Sequence, residues 1–482
     1  MKSEGRSRLG LVGLPFKLAW GAFVVATPVV GVWLSSSLAV YLNGPRWAAL
    51  SAGLLLFPLL PLAWEASAAQ RRRRKGKDGP RLLKLADRVI LRTLFVNVAF
   101  VAALLALFPE KAFLALSTRG DWMLEGQETP AANKGRALLF AAADGLEWLY
   151  AALHDNPYEE EGKDDTARPR PKPRPRADDE DDEAHPRVVR APAWPLPAEL
   201  HPLVASMPRE AEASIQSVAA YVSQRETNPY GRLKALHDWV ADRIAYDAPA
   251  LARGEYPPQD AETVFRTRKA VCAGYSKLLV ALGQAAGLKV FYVVGDSRDA
   301  GGSVGGAGHA WNGVEIHGRF FLIDATWDAG YVEGDRFVKR YRASYFLPPP
   351  DVFAMSHFPE DPKWQLLDKP LSRGELMRQP VLRTEFYEKG LELLSPKRSQ
   401  ISTAGDVEIR LENPQRLAVT ARVVPKGAQG SEGDRCEVTA GAKPSVRCAL
   451  PREGTFQVWM YAGEPGASWH DFVGQIEVNN TL

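Results

Sequence analysis

"GHAWNGVEIHGRFFLIDATWD", residues 308–328, decides how the centre of this 482-residue chain is read. Two apolar runs, "HAWNGVEI" and "RFFLIDATW", flank His317-Gly318, a dipeptide suited to a two-residue hairpin turn. With that turn, residues whose numbers sum to 635 face each other, so His309 lies opposite Thr326. Asp324 shares a strand face with Thr326. His309 and Asp324 then become diagonal neighbours, roughly 7–8 Å apart by backbone, within reach of an imidazole–carboxylate hydrogen bond. A loop of odd length would send them to opposite faces. Asp328 shares the face with Asp324 and is the fallback partner for the imidazole.

"RKAVCAGYSKLL", residues 268–279, puts Cys272 in what reads as the first turn of a helix. Unpaired backbone N–H groups and the helix dipole favour an anion there, so a thiolate would be stabilised. Buried cysteines are common and inert, and position alone does not decide. The histidine and the aspartate add what is missing: the parts of a thiol triad, in the order Cys, His, Asp. Cys272 would attack an amide, His309 would take its proton and return it to the leaving amine, and Asp324 would orient the imidazole. The backbone N–H of Cys272 would help bind the oxyanion.

Around these residues the pattern is helical first and extended afterwards. Ile215, Val218 and Val222 mark one helix; Leu233, Leu236, Val240 and Ile244 mark a second. A third spans 272–286 and ends at Gly287. "LKVFYVVG" and the two runs of the hairpin follow as strands, which argues an α+β domain with an antiparallel sheet. "DAGGSVGGAG", 299–308, precedes a strand rather than a helix, so it reads as an active-site loop and not as a phosphate cradle. Trp311 and Trp327 read as packing residues, His237 as a structural histidine, and "HFPEDPKWQLL" as a segment that wraps the domain with Trp364 as its anchor.

These stretches resemble the transglutaminase-like superfamily of papain-like fold. The pieces that carry the resemblance are "VCAGYSKLL", "GHAWNGVEIHGRFFLIDATW", the upstream "HDWVADRIAYD", and the downstream "YFLPPPDVFAMSHFPEDPKWQLL" and "FYEKGLELLSP". The extended pattern is similar to the branch that holds kyphoscoliosis peptidase and a fungal cytokinesis protein. The resemblance covers roughly 205–395, and the β-rich part beyond it is similar to that branch's immunoglobulin-like module. It implies Cys272 as nucleophile, His309 as base and Asp324 as orienter. It also implies an aromatic or amide group near the oxyanion, for which Trp239 and Tyr246 are the candidates. Members act as transamidases, peptidases or amidases through a thioester, and others are noncatalytic scaffolds. No cofactor or metal is implied.

The flanking regions read differently. Leu18–Leu42 and Trp47–Trp64 are uncharged runs, and Val89–Phe108 is a third apolar run with Arg92 near one end. They are expected to give transmembrane helices at 18–42, 47–67 and 89–108. Lys2, Arg6 and Arg8, with Arg71–Arg74, Lys75 and Lys77, place the N-terminus and the 71–88 loop in the cytoplasm and everything after Pro109 outside it. Residues 111–157 suggest amphipathic juxtamembrane helices, with Leu138, Leu139, Leu146, Leu149 and Tyr150 on the apolar side. "RPRPKPRPR" and "DDEDDE" make 158–195 a disordered linker.

The expected organisation is thus a membrane region at 1–110, the juxtamembrane segment, the linker, a transglutaminase-like domain at 196–395 and a small β-sandwich at 396–482. Cys436 and Cys448 flank a turn and would form a disulfide in an oxidising compartment, or remain two free thiols. The third cysteine is Cys272, and no C-x-x-C pair points to structural zinc. A formal net charge of +3 argues against nucleic acid. The expected partner is a protein or peptide substrate, with cell-envelope components as further candidates from location.

Overall fold

The computed structural model describes residues 26, 29–42, 44, 46–76, 83–127, 129–145, 147–148, 150, 156–158, 190–298, 301–302, 304, 308–428 and 433–481. The linker expected at 158–195 therefore lies largely outside the described residues, as do the first basic residues and parts of the glycine-rich loop.

Among the described N-terminal residues, Val29–Tyr41 (α1) is a short apolar helix, and Trp47–Arg74 (α2) is the one helix long and apolar enough to cross a membrane, with a mean hydropathy of 1.7. The non-helical backbone of Phe57 before Pro58 interrupts α2. This helix runs further than the sequence suggested. Arg71–Arg74 form its last turn and not a loop, an end where the helix dipole favours cations. The third apolar run is the helix Leu85–Leu107 (α3), whose Arg88 and Arg92 pair with Glu65 of α2 at 2.9 and 2.8 Å.

The segment expected to be juxtamembrane packs against the rest of the chain. It forms Pro109–Arg119 (α4) and Pro130–Asp144 (α5), docked onto the rest of the chain by charge. Arg119 pairs with Glu477 at 3.3 Å, and Arg398 with Asp121 at 2.6 Å. Arg378 donates to Ser117 O at 2.9 Å and reaches Asp144 at 3.4 Å. Of the expected apolar side, Leu138 is exposed, Leu139 half-buried and Tyr150 buried, while Leu146 and Leu149 lie outside the described residues.

The central helices are Ile215–Arg225 (α6), Pro229–Arg243 (α7), Ala261–Thr267 (α8) and Cys272–Ala285 (α9). Ser214, Asn228 and Asp260 cap the first three, each through a side-chain oxygen that accepts from a first-turn N–H. Ile215, Val218, Val222, Leu233, Leu236 and Val240 all face one core. That core backs a four-stranded antiparallel sheet of Lys289–Ser297 (β1), His309–Ile316 (β2), Arg319–Ile323 (β3) and His357–Pro359 (β4), in the order β3-β2-β1-β4. Ser276 donates to Trp311 O at 2.7 Å, and Asn312 donates to Ser276 O at 3.0 Å, tying α9 to β2.

The hairpin register is the one that the turn dictates: Asn312 pairs with Ile323 and Ile316 with Arg319. His317 and Gly318 have φ of 50° and 74°, both left-handed, as a type I′ turn requires. The outer face is closed by Trp364. A Cβ on Gly313 would sit 2.1 Å from its ring, so only glycine fits there.

The C-terminal region has two sheets. One is Glu392–Ser395 (β5), Asp406–Glu412 (β7), Ser445–Ala449 (β11) and Glu437–Val438 (β10), in that order. The other runs Ile401–Thr403 (β6), Asp471–Asn480 (β13), Gly454–Gly463 (β12), Ala418–Pro425 (β8) and Asp434–Arg435 (β9), with Val381–Leu382 added on β13. Alternating residues of both, Val407, Ile409 and Leu411 against Val458, Met460 and Ile476, share one core. Cys436 and Cys448 are joined by a disulfide, with Cα atoms 4.4 Å apart.

Candidate active site

Cys272 is the first residue of α9, and Val271 before it supplies no side-chain cap. The helix start is held by Gln259, whose Oε1 accepts from Val271 N at 3.0 Å. His309 opens β2, close enough to Cys272 for the thiol to act on its pKa. Its Nε2 lies 2.8 Å from Asp324 Oδ2. Cys272, His309 and Asp324 are all buried, at 2, 4 and 1 % exposure.

Asp324 does not sit in a strand as the register argument assumed. β3 ends at Ile323, and Asp324 is the N-cap of a short helix, Ala325–Ala329 (α10). Its Oδ1 accepts from Thr326 N at 2.8 Å and Trp327 N at 3.2 Å. An aspartate ahead of a helical turn satisfies orphan N–H groups better than a strand ladder would, so the chain turns away and Thr326 never faces His309. The carboxylate still reaches the imidazole, because the cap leaves Oδ2 free to point back at β2.

Asp328 is also placed elsewhere. It lies 3.2 Å from Nε2 of His237 and accepts from Tyr345 N at 3.1 Å. His237 is fully buried, with Nδ1 3.0 Å from Asp238. This histidine anchors α10 to α7 and is not near the thiol.

Trp239 belongs to the helical core, stacked on Phe265 at 5.3 Å under the Arg268 guanidinium. The spacing within "HDWVADR" could not tell the inner face of α7 from a face turned to the thiol. Tyr246, by contrast, packs beside Cys272 and lines the cleft.

Two residues near the thiol carried no local signal. Tyr158 is buried in the same packed cluster as Cys272, beside Tyr256 at 5.9 Å. Its segment is fixed by Asn156, which donates to Gly295 O at 3.0 Å and accepts from Tyr158 N at 3.1 Å. His357, in the edge strand β4, brings its Nε2 to 3.1 Å from Asp324 Oδ2. A cleft of about 690 Å³ opens beside His309, walled by Tyr246, Trp327, Tyr331 and Phe337 with Arg342 and Arg383 at its side.

The electrostatics follow from burial and partners. Burial alone would lower the His309 pKa, but the Asp324 charge and hydrogen bond, with Cys272 behind them, raise it to about 10. Burial would raise Asp324; the two imidazoles outweigh it and hold the carboxyl well below its usual range. His357 is pushed down by burial to about 4 despite the Asp324 contact, and is neutral at neutral pH.

His309, Asp324 and His357 are also the one group among the described residues whose ligand atoms lie within 4.8 Å of one another, as around a metal. A tetrahedral zinc at roughly 2.0 Å from each ligand would hold the ligand atoms about 3.3 Å apart. The observed 2.8 and 3.1 Å are hydrogen-bond lengths, and that is how we read them.

The family model described as the transglutaminase-like superfamily matches residues 216–325, a span that contains Cys272, His309 and Asp324 but not His357. Kyphoscoliosis peptidase of Mus musculus is 31% identical over 213 residues, 42% of this chain and 32% of that protein. The Homo sapiens protein is 31% identical over 214 residues with the same coverage. The Lim and transglutaminase domain protein ltd-1 of Caenorhabditis elegans is 28% identical over 206 residues, 37% of this chain and 27% of its own length. The chain thus spans about a third of the length of the kyphoscoliosis peptidases it matches. Residues 216–325 thus carry a transglutaminase-like superfamily domain, and the stretch around them is similar to kyphoscoliosis peptidase.

Proposed function

We propose that the chain is a membrane-anchored thiol enzyme acting on amide bonds of proteins or peptides. Cys272 is the nucleophile, His309 the general base and then acid, and Asp324 the orienter. The observation that carries the reading is the 2.8 Å hydrogen bond between His309 and the Asp324 carboxylate, with buried Cys272 at the helix start beside them. With its pKa raised to about 10, His309 already carries the proton of the thiol–imidazole pair when sulfur attacks the amide carbon. The amine leaves with that proton, and a thioester remains. Water resolving the thioester makes a peptidase or amidase; an amine resolving it makes a transamidase. Tyr246, packed against the cluster that holds Cys272, is the auxiliary group for the oxyanion.

In this reading residues 1–110 anchor the protein by about three crossings, and 111–157 follow as the juxtamembrane segment. The linker spans 158–195, the transglutaminase-like domain 196–395, and an immunoglobulin-like sandwich 396–482. The basic cluster Arg71–Arg74 at the end of α2 supports a cytoplasmic position for that end, and the Cys436–Cys448 bond supports an oxidising compartment for the rest. Envelope peptides are then the substrates at hand.

A second reading, a noncatalytic binding module, is favoured by one observation: Cys272 is 2 % exposed and packed in one cluster with Tyr158. The discriminating experiment uses the full chain in detergent, since α4 and α5 are packed into it. A thiol-reactive amide-mimic probe is applied to the wild type and to Tyr158→Ala, each with and without His309→Ala. The enzyme reading expects His309-dependent labelling of Cys272 faster than a free thiol. Labelling indifferent to His309 in both backgrounds would leave the binding module. A reporter active only outside the cytoplasm, fused after Leu482, tests the topology, and silence there refutes it.

A further inference from the structure

The sheet register brings a second histidine to the triad carboxylate. Gly295 of β1 pairs with His309 of β2 on one side and with Pro359 of β4 on the other. His357 lies two residues from Pro359 on β4, opposite Ser297, and so on the same face as His309. Gly295 stands between the two strands without a side chain, and the imidazole rings approach to 5.4 Å across that gap.

His357 is held there firmly. It is 1 % exposed, stacked on Phe353 at 3.9 Å and edged by Trp311 at 5.0 Å and Trp327 at 4.6 Å. The titratable groups facing it are Asp324, His309 and Tyr345. A neutral imidazole carries one N–H. The carboxylate requires it on Nε2, so Nδ1 accepts from the Ser356 hydroxyl at 2.9 Å.

Asp324 therefore receives four hydrogen bonds: two backbone N–H groups at Oδ1 and two imidazole N–H groups at Oδ2. Without His357, Oδ2 would answer to His309 alone, and the carboxylate could rotate with the imidazole. We propose that His357 is a positioning residue: its Nε2–H pins Oδ2 of Asp324, which in turn holds the His309 ring with its other nitrogen toward the Cys272 thiol. The inference rests on the thiol-enzyme reading of the same site.

Two substitutions separate positioning from packing. His357→Phe keeps the aromatic stack on Phe353 and removes the donor; His357→Gln loses the stack and keeps an N–H at similar reach. In the full chain, with Tyr158→Ala to uncover the thiol, the rate of Cys272 labelling is compared. Loss of an outer hydrogen-bond partner lowers function roughly 10- to 100-fold at comparable sites. The expected result is that loss for Phe and restoration to within a few-fold of the parent by Gln. A Phe variant that labels like the parent, or Phe and Gln falling alike, overturns the positioning role while His309-dependent labelling of the parent still stands. Parent labelling indifferent to His309 sinks the enzyme reading and this inference with it. Should the Phe variant fail to fold in a thermal melt, Ser356→Ala, which frees Nδ1 and loosens the tautomer, is expected to slow labelling several-fold; an unchanged rate overturns the role.

Discussion

Asn at position 324 keeps the size of Asp and its capping ability, yet it should break the site. In the native chain one oxygen accepts from Thr326 N and Trp327 N, the other from His309 and His357. An amide has one oxygen. If that oxygen stays at the cap, its NH₂ faces two imidazole donors; if it turns to the imidazoles, the NH₂ faces two backbone donors. Two of the four bonds are lost either way, and at roughly 1.5–3 kcal/mol for each bond to a charged acceptor the change costs about 3–6 kcal/mol. The histidine gives a second measure. Its rise from 6.5 to about 10 corresponds, at 1.36 kcal/mol per pKa unit, to roughly 5 kcal/mol, a ceiling for Asp324 because Cys272 contributes as well.

The sign with pH follows from both partners. His309 is raised on folding, so its contribution is fully present below pH 6.5 and is lost as pH rises through about 10. Asp324 is depressed, so its contribution is present above 3.8 and is lost only as pH falls through its low folded value. The difference between wild type and Asp324→Asn should be largest from about pH 4 to 6.5 and should shrink toward pH 10. Pulse proteolysis of the full chain in detergent, at about pH 6 and about pH 10, measures it. Labelling of Cys272 should fall about 10³- to 10⁴-fold, because no carboxylate then orients the His309 ring and stabilises its charge. A stability loss below about 1 kcal/mol, or one independent of pH, would refute the four-bond account.

Three further outcomes are expected. Gly313→Ala places a methyl 2.1 Å from the Trp364 ring and should cost about 1–3 kcal/mol in denaturant titration, with Trp364→Leu recovering part of it; an unchanged midpoint contradicts the packing. Cys436→Ser with Cys448→Ser opens a loop with a sequence separation of 12 and should lose about 3 kcal/mol, and reductant should bring the wild-type melt down to match. Wild type indifferent to reductant would contradict that. Arg378→Ala removes the bonds to Ser117 O and Asp144, so tryptic cleavage after Arg119 and Lys134 should quicken; unchanged cleavage would mean that α4 and α5 are held by other contacts.

The hairpin was legible because a two-residue turn leaves no freedom of register, and His317-Gly318 forms one. The core faces of α6 and α7 were legible from helical spacing alone. Asp324 was found by extending a strand that in fact stops at Ile323, so the partner was right and the route to it was not. The limit there is physical: period-two reasoning cannot see a side chain that prefers to cap. His357 and Tyr158 had no signal to find, since each reaches the site by tertiary pairing with residues far away in sequence. The docking of α4 and α5 was hidden for the same reason, being made by Arg119, Arg378 and Arg398, whose charges look solvated in sequence.

The five-residue helix α10 is fastened at both ends, by Asp324 to the two imidazoles and by Asp328 to His237 in the helical core. A carboxylate so mounted inherits the rigidity of the interior and not that of the surface. Of the cleft walls, Trp327 binds the carboxylate through its backbone N–H, whereas the side chains of Tyr331, Phe337, Arg342 and Arg383 are not among its hydrogen-bond partners. On the proposed thiol-enzyme reading, substitutions of those side chains would change which peptide is accepted while the proton-handling groups stay in register. Drift in substrate preference and loss of chemistry would then be separable events, and the second should begin in the buried side of α7, well out of sight of the cleft.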